Sequence, residues 1–537
     1  MAPTASSGER IRASYDALPY ETLPQHSTHP DLLATLGRLA GLDTASPQDC
    51  RVLEIGCGDG GNLLPMAFHL PNSRFVGFDL SPRQIERGEQ HRLELGLDNL
   101  ELRVADLLDK PLDGPTFDYI VAHGFFSWVP PEVQGRLLDF CAARLSPHGI
   151  ALVSYNCYPG WHLRFWLRDL MQHEARGEKE PLAKVRRAVD GVRRLAETLA
   201  RGDDERSAML RAACRHFDEY EERPGYLFHE YFEEHNQPLY FGDFVARAQS
   251  HGLRVVDDAD HTLSRLSGIE PKVAARLAEL QGDRLALEQS LDFVLDRSFR
   301  KTLLCRADAE PAEPSIARLP GLFVASSIVA TTPRSEIDGG APIRFVTDGD
   351  RPFTVDRPFT VDHPLAKAVL LTLADAWPKA IPYDGLASAV AGHGKPEIDG
   401  EVLGDIVLSS FFAGVLDLHA SPGRCAVEPG RRPRAHDLVR WQLAHELPVC
   451  NPRHRIVASS DPMGGWLLGV LDGSRDRGDL LEALDAEVTA GRLRPEAAVE
   501  VDPIRRRAAL VTTLERHLEA LARQGLLAPP STMESKA

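Results

Sequence analysis

The sequence predicts an α/β fold: a doubly wound, largely parallel sheet of seven strands with a helical insertion, followed by two smaller, mainly helical C-terminal domains. Three observations carry that prediction. Short β-branched or apolar runs alternate with helical stretches from Cys50 to Tyr158, and near-continuous apolar strands of this kind belong to parallel sheets covered on both faces. Glycines cluster in the turn after the first run. An acid closes the second run (Asp79) and the third (Asp106), where open α/β sheets bind their ligands, outside the carboxyl ends of the strands.

The elements follow in order. Residues 1–44 read as an N-terminal segment, with Tyr15 and Tyr20 in "SYDALPYETLPQ", that either lids the sheet or docks as an ordinary tail. The first five strands are "RVLEIGC", "RFVGFDLS", "LELRVAD", "FDYIVAHG" and "GIALVSYN", with helices over Arg83–Leu95 and Pro131–Leu145 between them. Leu163 to about Tyr220 is charged and helical without a strand signal, so residues 163–240 form an insertion. A helix at Phe241–Ser250 and strands at Leu253–Asp257 and Phe299–Ala307 then complete the sheet, giving a domain over 45–308. The Pro/Glu-rich seam Asp308–Pro320 marks a boundary. The middle domain, 309–430, has helices over Leu365–Ala376 and Glu401–Val415 and a terminal strand in "LDLHASPG". Its duplication, Arg351–Asp356 and Arg357–Asp362, is too short for a repeat architecture and reads as a loop. After the break Glu428–His436, residues 431–537 read as helix, turn, helix, a last helix ending at Gly525 and a short strand, a winged-helix-like unit suited to protein contact or simply to packing.

Composition narrows the function. Apolar residues make up 43% and charged residues 26%, as in soluble globular chains. The formal charge of −17 argues against nucleic acid, which needs clustered Lys and Arg. Eight cysteines between Cys50 and Cys450 include no CxxC pair, so neither a zinc cage nor a disulfide framework is expected, and buried thiols in a reducing compartment are. The N-terminus lacks an apolar signal region, and no run of about 18 apolar residues occurs, so no membrane insertion and a cytoplasmic location are expected. "HEYFEEHN" is no metalloprotease motif: HExxH needs histidine where Glu233 stands, and no metal is expected.

"VLEIGCGDGGN" places Gly56, Gly58 and Gly60 where positive φ and close approach of a ligand to bare backbone are needed. Asp79 follows Gly58 by 21 positions, where a carboxylate can bridge two ribose hydroxyls. Asp106, in "RVADLL", can accept from an adenine amino group. A dinucleotide site is the rival reading, but the turn is GxGxG rather than GxGxxG.

Residues Cys50–Asp109 resemble the cofactor half of class I S-adenosylmethionine-dependent methyltransferases. More specifically, "YDALPY", "THPDLLATLGRLAGL", "GGNLLPMAFHLP", "FVGFDLSPRQIERG", "AHGFFSWVP", "VSYNCYPGW" and "HEYFEEHNQPLYFGDF" resemble a bacterial group carrying a methyltransferase regulatory domain. That group includes protein-lysine methyltransferases acting on surface proteins. The likeness runs over about residues 14 to 306 and implies a seven-stranded Rossmann-like methyltransferase sheet with a regulatory segment over about 217–303 that completes it. It implies that S-adenosylmethionine is held by Tyr20, Glu54, Gly56, Cys57, Gly58, Gly60, Asn62, Asp79, Leu80, Asp106, Leu107 and His123. Asp59 departs from the small residue expected there and would perturb the pocket. Phe126 departs from the frequent Tyr, which removes a hydroxyl role at that position.

The ends of strands four and five then flank the acceptor. His123, Trp128, Asn156, Tyr158 and Trp161 are the expected catalytic wall, opposed by His229, Glu230, Tyr231 and Asn236. Lysine, with a pKa of about 10.4, must lose its proton before attack, and an aromatic, partly dry pocket lowers that value. Asn156 and Tyr158 suit lone-pair orientation, His123 or Tyr158 a proton relay, and aromatic faces the cationic product. A packed aromatic turn at 153–162 and a core stripe at 226–241 are the structural alternatives. Three functions remain open: lysine methylation of a protein or peptide, methylation of a small molecule or peptide natural product, and non-catalytic binding of the donor as a signal. The first leaves the rear domains for substrate docking, and a homodimer is compatible with all three.

Overall fold

The strands form because their side chains are apolar on both faces: Val52, Leu53 and Ile55, then Ile120 to Ala122, then Ala151 to Val153 are all removed from water. The computed structural model describes residues 7–200, 202–218, 223–267, 269–332, 341–347, 358–391, 398–457, 461–494 and 503–529. It divides into two units, residues 1–23 with 36–313 and residues 24–35 with 314–537.

The first unit runs α1 (Ser7–Ala17), α2 (Pro30–Leu39, whose first turns count with the other unit), β1 (Arg51–Ile55), α3 (Leu63–His69), β2 (Arg74–Asp79), α4 (Pro82–Glu94), β3 (Leu100–Val104) and β4 (Phe117–Ala122). It continues with α5 (Pro131–Arg144), β5 (Leu145–Asn156), α6 (Trp161–Glu174), α7 (Pro181–Leu199), α8 (Glu205–Asp218) and α9 (Pro224–Phe232). Then come α10 (Phe241–Ser250), β6 (Leu253–Asp258), α11 (Pro271–Leu277), α12 (Arg284–Leu295) and β7 (Phe299–Arg306). The sheet order is β3-β2-β1-β4-β5-β7-β6. The first five strands are parallel, and β7 lies antiparallel between β5 and β6. The strand order reverses between β1 and β4, which is where such sheets open a crevice. Leu145 starts β5 rather than ending the helix before it, as the sequence pattern suggested.

Helices α6 to α9 form the insertion and keep a core of their own: Leu167, Met171, Val185, Val189, Leu227 and Tyr231 pack together. Strand β7 carries an unusual load. Arg300 is fully buried and pairs with Glu288 at 2.9 Å, Asp292 at 2.9 Å and Asp258 at 3.5 Å, while Arg297 pairs with Asp258 at 2.7 Å. Its guanidinium also lies 3.8 Å from the Phe241 ring centroid. Charges so far from water persist only when each one is matched, so α12, β6, α10 and β7 are fastened as one block.

The second unit contains β8 (Phe323–Ala325), β9 (Ile328–Ala330), β10 (Ile343–Thr347), β11 (Phe359–Val361), α13 (Pro364–Ala376), β12 (Ile381–Pro382), α14 (Tyr383–Ala391), α15 (Gly400–Phe412) and β13 (Asp417–His419). Two three-stranded sheets, β11-β10-β9 and β12-β8-β13, accompany the helices that the sequence pattern showed. The duplicated hexapeptide falls mainly outside the described residues; part of its second copy is β11. Helices α16 (Asp437–Ala444), α17 (Pro462–Val470), α18 (Arg477–Thr489) and α19 (Pro503–Arg523) share a separate leucine-rich core. The expected final strand is a single antiparallel bridge, Ala435 to Leu527.

Replacing Arg300 by Met leaves buried Asp292 without its paired cation and takes one of two cations from Glu288 and Asp258, which keep Arg284 and Arg297. The expected cost is about 3–5 kcal/mol, seen as a lower urea midpoint for the first unit; a loss near zero would show that β7 does not depend on this network.

Candidate active site

The turn after β1 is built on bare backbone. Gly56, Gly58 and Gly60 have φ of 75°, 55° and 76°, a region in which side chains are strained. A Cβ on Gly56 would stand 2.8 Å from the Phe125 ring. The Gly58 amide donates to Asp79 Oδ2 at 3.0 Å and the Ser81 amide to Asp79 Oδ1 at 2.9 Å, so the carboxylate at the end of β2 is aimed by backbone. Burial pushes Asp79 up, against those amide hydrogen bonds. Glu54, 4% exposed, accepts from Asn62 Nδ2 at 2.8 Å through Oε1, while its Oε2 has no partner. Burial lifts this carboxyl to about 8, the Asn62 hydrogen bond opposing. Asp106 Oδ1 accepts from the Leu108 amide at 2.9 Å beyond the end of β3. Cys57 and Leu107 are buried with their side chains in packing, so only their backbone is available to a ligand.

The N-terminal segment crosses this turn. Thr22 donates to Asp59 through its hydroxyl and accepts from the Gly61 amide at 3.0 Å, and a Cβ on Gly58 would collide with the Thr22 methyl. Asp16 accepts from Ser81 Oγ at 2.5 Å. At its other side the segment meets α9: Tyr15 stacks on His229 with centroids 4.2 Å apart, and Tyr20 meets the same ring edge-on at 5.9 Å. His229 Nε2 lies 2.6 Å from the Leu18 carbonyl and Nδ1 2.6 Å from Glu233 Oε1. Ser14 also donates to Glu233, at 2.6 Å. Arg168 donates to the Glu233 carbonyl, closing that corner.

The rim beyond β4 and β5 is tied to the segment after α9. Gln237 donates to the Ser127 carbonyl at 3.0 Å, Leu239 to the Asn156 carbonyl at 3.1 Å, and the Tyr158 amide to the Leu239 carbonyl at 3.2 Å. Asn156 Nδ2 donates to Asn236 Oδ1 at 2.9 Å, while its own amide oxygen makes no hydrogen bond among the described residues. Trp128 and Trp161 meet edge to face at 6.3 Å. Arg164 lies 5.7 Å from the Trp161 centroid and 3.6 Å from Glu230. His123 sits against Phe299 at 5.7 Å, and burial, with Lys301 nearby, pushes it down to about 3. His123 Nε2, Trp161 Nε1 and Asn236 Nδ2, all buried, lack a hydrogen-bond partner, as Glu54 Oε2 does. Polar atoms removed from water are normally satisfied, and these four belong to residues at or beyond the carboxyl ends of β1, β4 and β5 and in the segment after α9.

Comparison with known proteins identifies the family. Residues 53–151 match the family described as "Methyltransferase domain", residues 223–306 "Predicted methyltransferase regulatory domain" and residues 431–526 "PKMT, C-terminal winged helix domain". A protein of Rickettsia prowazekii is 28% identical over 503 residues, 89% of this chain and 87% of its own. A second one from the same organism is 33% identical over 245 residues, 46% of this chain and 97% of its own. The chain belongs to the S-adenosylmethionine-dependent methyltransferases that carry a methyltransferase regulatory domain. The structure of PKMT2 from Rickettsia typhi in complex with AdoHcy is 25% identical, with a TM-score of 0.84 over 95% of this chain and 100% of that one.

The donor set of this methyltransferase fits its cofactor. S-adenosylmethionine brings a sulfonium, an ammonium, an adenine amino group and two ribose hydroxyls, and the crevice offers the carboxyl groups of Glu54, Asp79 and Asp106. The regulatory domain supplies α9, α10, α12, β6 and β7, so it completes the sheet rather than standing apart from it.

The structure also separates residues that the sequence grouped. Tyr158, half-buried, is stacked on His162 at 4.3 Å and packed on Tyr240 at 5.2 Å, and has no ring contact with Trp128 or Trp161 among the described residues. Tyr231, 1% exposed, is a core ring of the insertion and not a wall of the site, because α9 turns that face toward α6 and α7. His229 has both ring nitrogens engaged, so it anchors the N-terminal segment instead of facing an acceptor. Asp59 points at Thr22 and Arg87, not into the pocket as expected. Phe126 is in the core against Tyr155 and Phe244. Thr22, Phe125 and Arg164 went unnoticed in the sequence; only their spatial neighbours give them meaning.

Gly58→Ala would strain the turn and push Thr22 away, at about 1–2 kcal/mol. The expected result is donor affinity weakened about tenfold by calorimetry, with faster amide exchange over residues 18–23; unchanged exchange there would refute the contact.

Proposed function

We propose that this methyltransferase N-methylates lysine side chains of a protein. The observation that carries the reading is the end-to-end likeness to PKMT2, a protein-lysine methyltransferase by its name, together with the winged-helix domain shared with that group. Asp79 takes the ribose hydroxyls, Asp106 the adenine amino group, and Glu54 with the glycine turn the amino-acid end of the cofactor, Leu80 and Leu107 contributing backbone. When bound, the cofactor supplies an electrophilic methyl group. The chain's own task is then to present a neutral amine in line, and positioning supplies most of such an acceleration. The free Asn156 amide oxygen accepts from the amine N–H and aims its lone pair. Trp128 and Trp161 offer ring faces to the methylated cation. His123, unprotonated at neutral pH, packs against the rim without adding charge. All eight cysteines are free, and no helix of the described residues is long and apolar enough to cross a membrane. A reducing, cytoplasmic location is part of the same proposal.

Incubation with isotope-labelled S-adenosylmethionine and a lysate of the source cells tests it. Label in protein bands, mapped to lysine by mass spectrometry, is expected, and label confined to small molecules would reject it. Asp79→Ala is expected to weaken donor binding several-fold or more, whereas Asn156→Ala should leave the donor dissociation constant unchanged and cut turnover by about a hundredfold.

A further inference from the structure

The proposal above leaves unanswered where the lysine proton goes. His229 is spent on Leu18 and Glu233, Tyr158 stacks on His162, and Asp79 is held by two amides. Besides Glu54, which keeps one unpartnered oxygen near the end of β1, a second buried acid makes no side-chain hydrogen bond among the described residues. Glu230, on α9, is 9% exposed and accepts no hydrogen bond through its side chain among the described residues; its nearest cation is Arg164 at 3.6 Å, beyond hydrogen-bond reach. Arg164 itself caps the Trp161 ring, which ties the carboxyl group to the aromatic rim. Tyr15 stacks on His229, the residue before Glu230, so the N-terminal segment that meets the glycine turn at Thr22 also passes beside this part of α9, and Glu230 is not among the side chains of the insertion core.

Resting on the lysine reading, we propose that Glu230 is a catalytic residue: it receives the substrate ammonium between Arg164, Tyr15 and Trp161 and takes its proton. An N–H bond of the ammonium breaks, an O–H bond forms on Glu230, and the lone pair left on nitrogen is the pair that methyl transfer uses. Glu230 then returns the proton to water, so each methylation of an ammonium releases one proton. The groups facing Glu230 are Arg164 and Arg168 of α6 and Tyr15 of α1; Glu233, one turn on, is occupied by His229 and Ser14. Burial lifts Glu230 to about 7, against the two arginines. A base at that level is a carboxylate in half the molecules at neutral pH, and general bases work best near the operating pH.

The sign follows. Activity rises with pH as Glu230 loses its proton, so kcat/KM has an acid limb near 7. Arg164→Met removes a cation that lowers Glu230, and the limb moves to higher pH. Glu230→Gln abolishes the limb, lowers kcat/KM at pH 7 by about a hundredfold, and recovers activity only toward pH 10, where the lysine ammonium loses its proton to water unaided. A readout independent of turnover is binding of n-butylamine, a lysine side-chain surrogate, followed by NMR with S-adenosylhomocysteine present. Glu230→Gln should bind it about tenfold more weakly while S-adenosylhomocysteine affinity is retained. Lysine label with an unchanged Glu230→Gln profile, or an Arg164→Met limb that does not move, overturns the role of Glu230 alone. Label on an atom other than an amine nitrogen overturns the lysine reading with it. If Glu230→Gln does not fold, the Arg164→Met shift decides the matter.

Discussion

The pairing of β5 with β7 is the constraint on which the rest depends. Asn156 lies opposite Phe299 in that ladder, and the next residues continue it, Cys157 donating to the Ser298 carbonyl at 2.9 Å and Gly160 to that of Arg297 at 3.0 Å. The turn that carries Asn156 and leads to Trp161 is therefore set by a strand from the regulatory domain. So is the ring packed on His123. The buried ions around Arg300, itself opposite Tyr155 in the ladder, hold that strand to α12 and β6, and through them fix the turn that follows Asn156.

The donor side is organised differently. It has no side chains at three positions of the turn, and a carboxylate at the end of each of three neighbouring strands. Low-dielectric surroundings raise Glu54 and Asp79, which is costly for an empty crevice and favourable for one that holds a cation. The N-terminal segment spans both sides, with Thr22 on the glycine turn and Tyr15 and Leu18 on His229. The glycine turn and α9 are thus linked by one short stretch of chain.

Much of this was legible in the sequence because it is local. Five strands with period and composition of a buried sheet, the spacing from Gly58 to Asp79, and the acid after β3 all sit within short windows. The sixth and seventh strands were also legible, as what the sheet still lacked. What stayed hidden depends on distance along the chain or on helical phase. Thr22 and Asp59 are 37 positions apart and His229 and Leu18 are 211 apart, so no window shows them together. On α9, His229, Glu230 and Tyr231 are consecutive, yet they meet the N-terminal segment, Arg164 and the insertion core respectively; adjacency in "HEY" cannot tell which is which. Three-residue strands such as β8 and β9 lack the length for any periodicity.

The antiparallel seventh strand has one more implication. At twelve residues, apolar over most of its length, β5 would be a bare sheet border if the chain stopped before residue 223. Its unpaired amides and carbonyls would then template association with other copies. A fragment trimmed before the regulatory domain is on these grounds expected to self-associate, because that domain supplies the strand that covers the β5 edge.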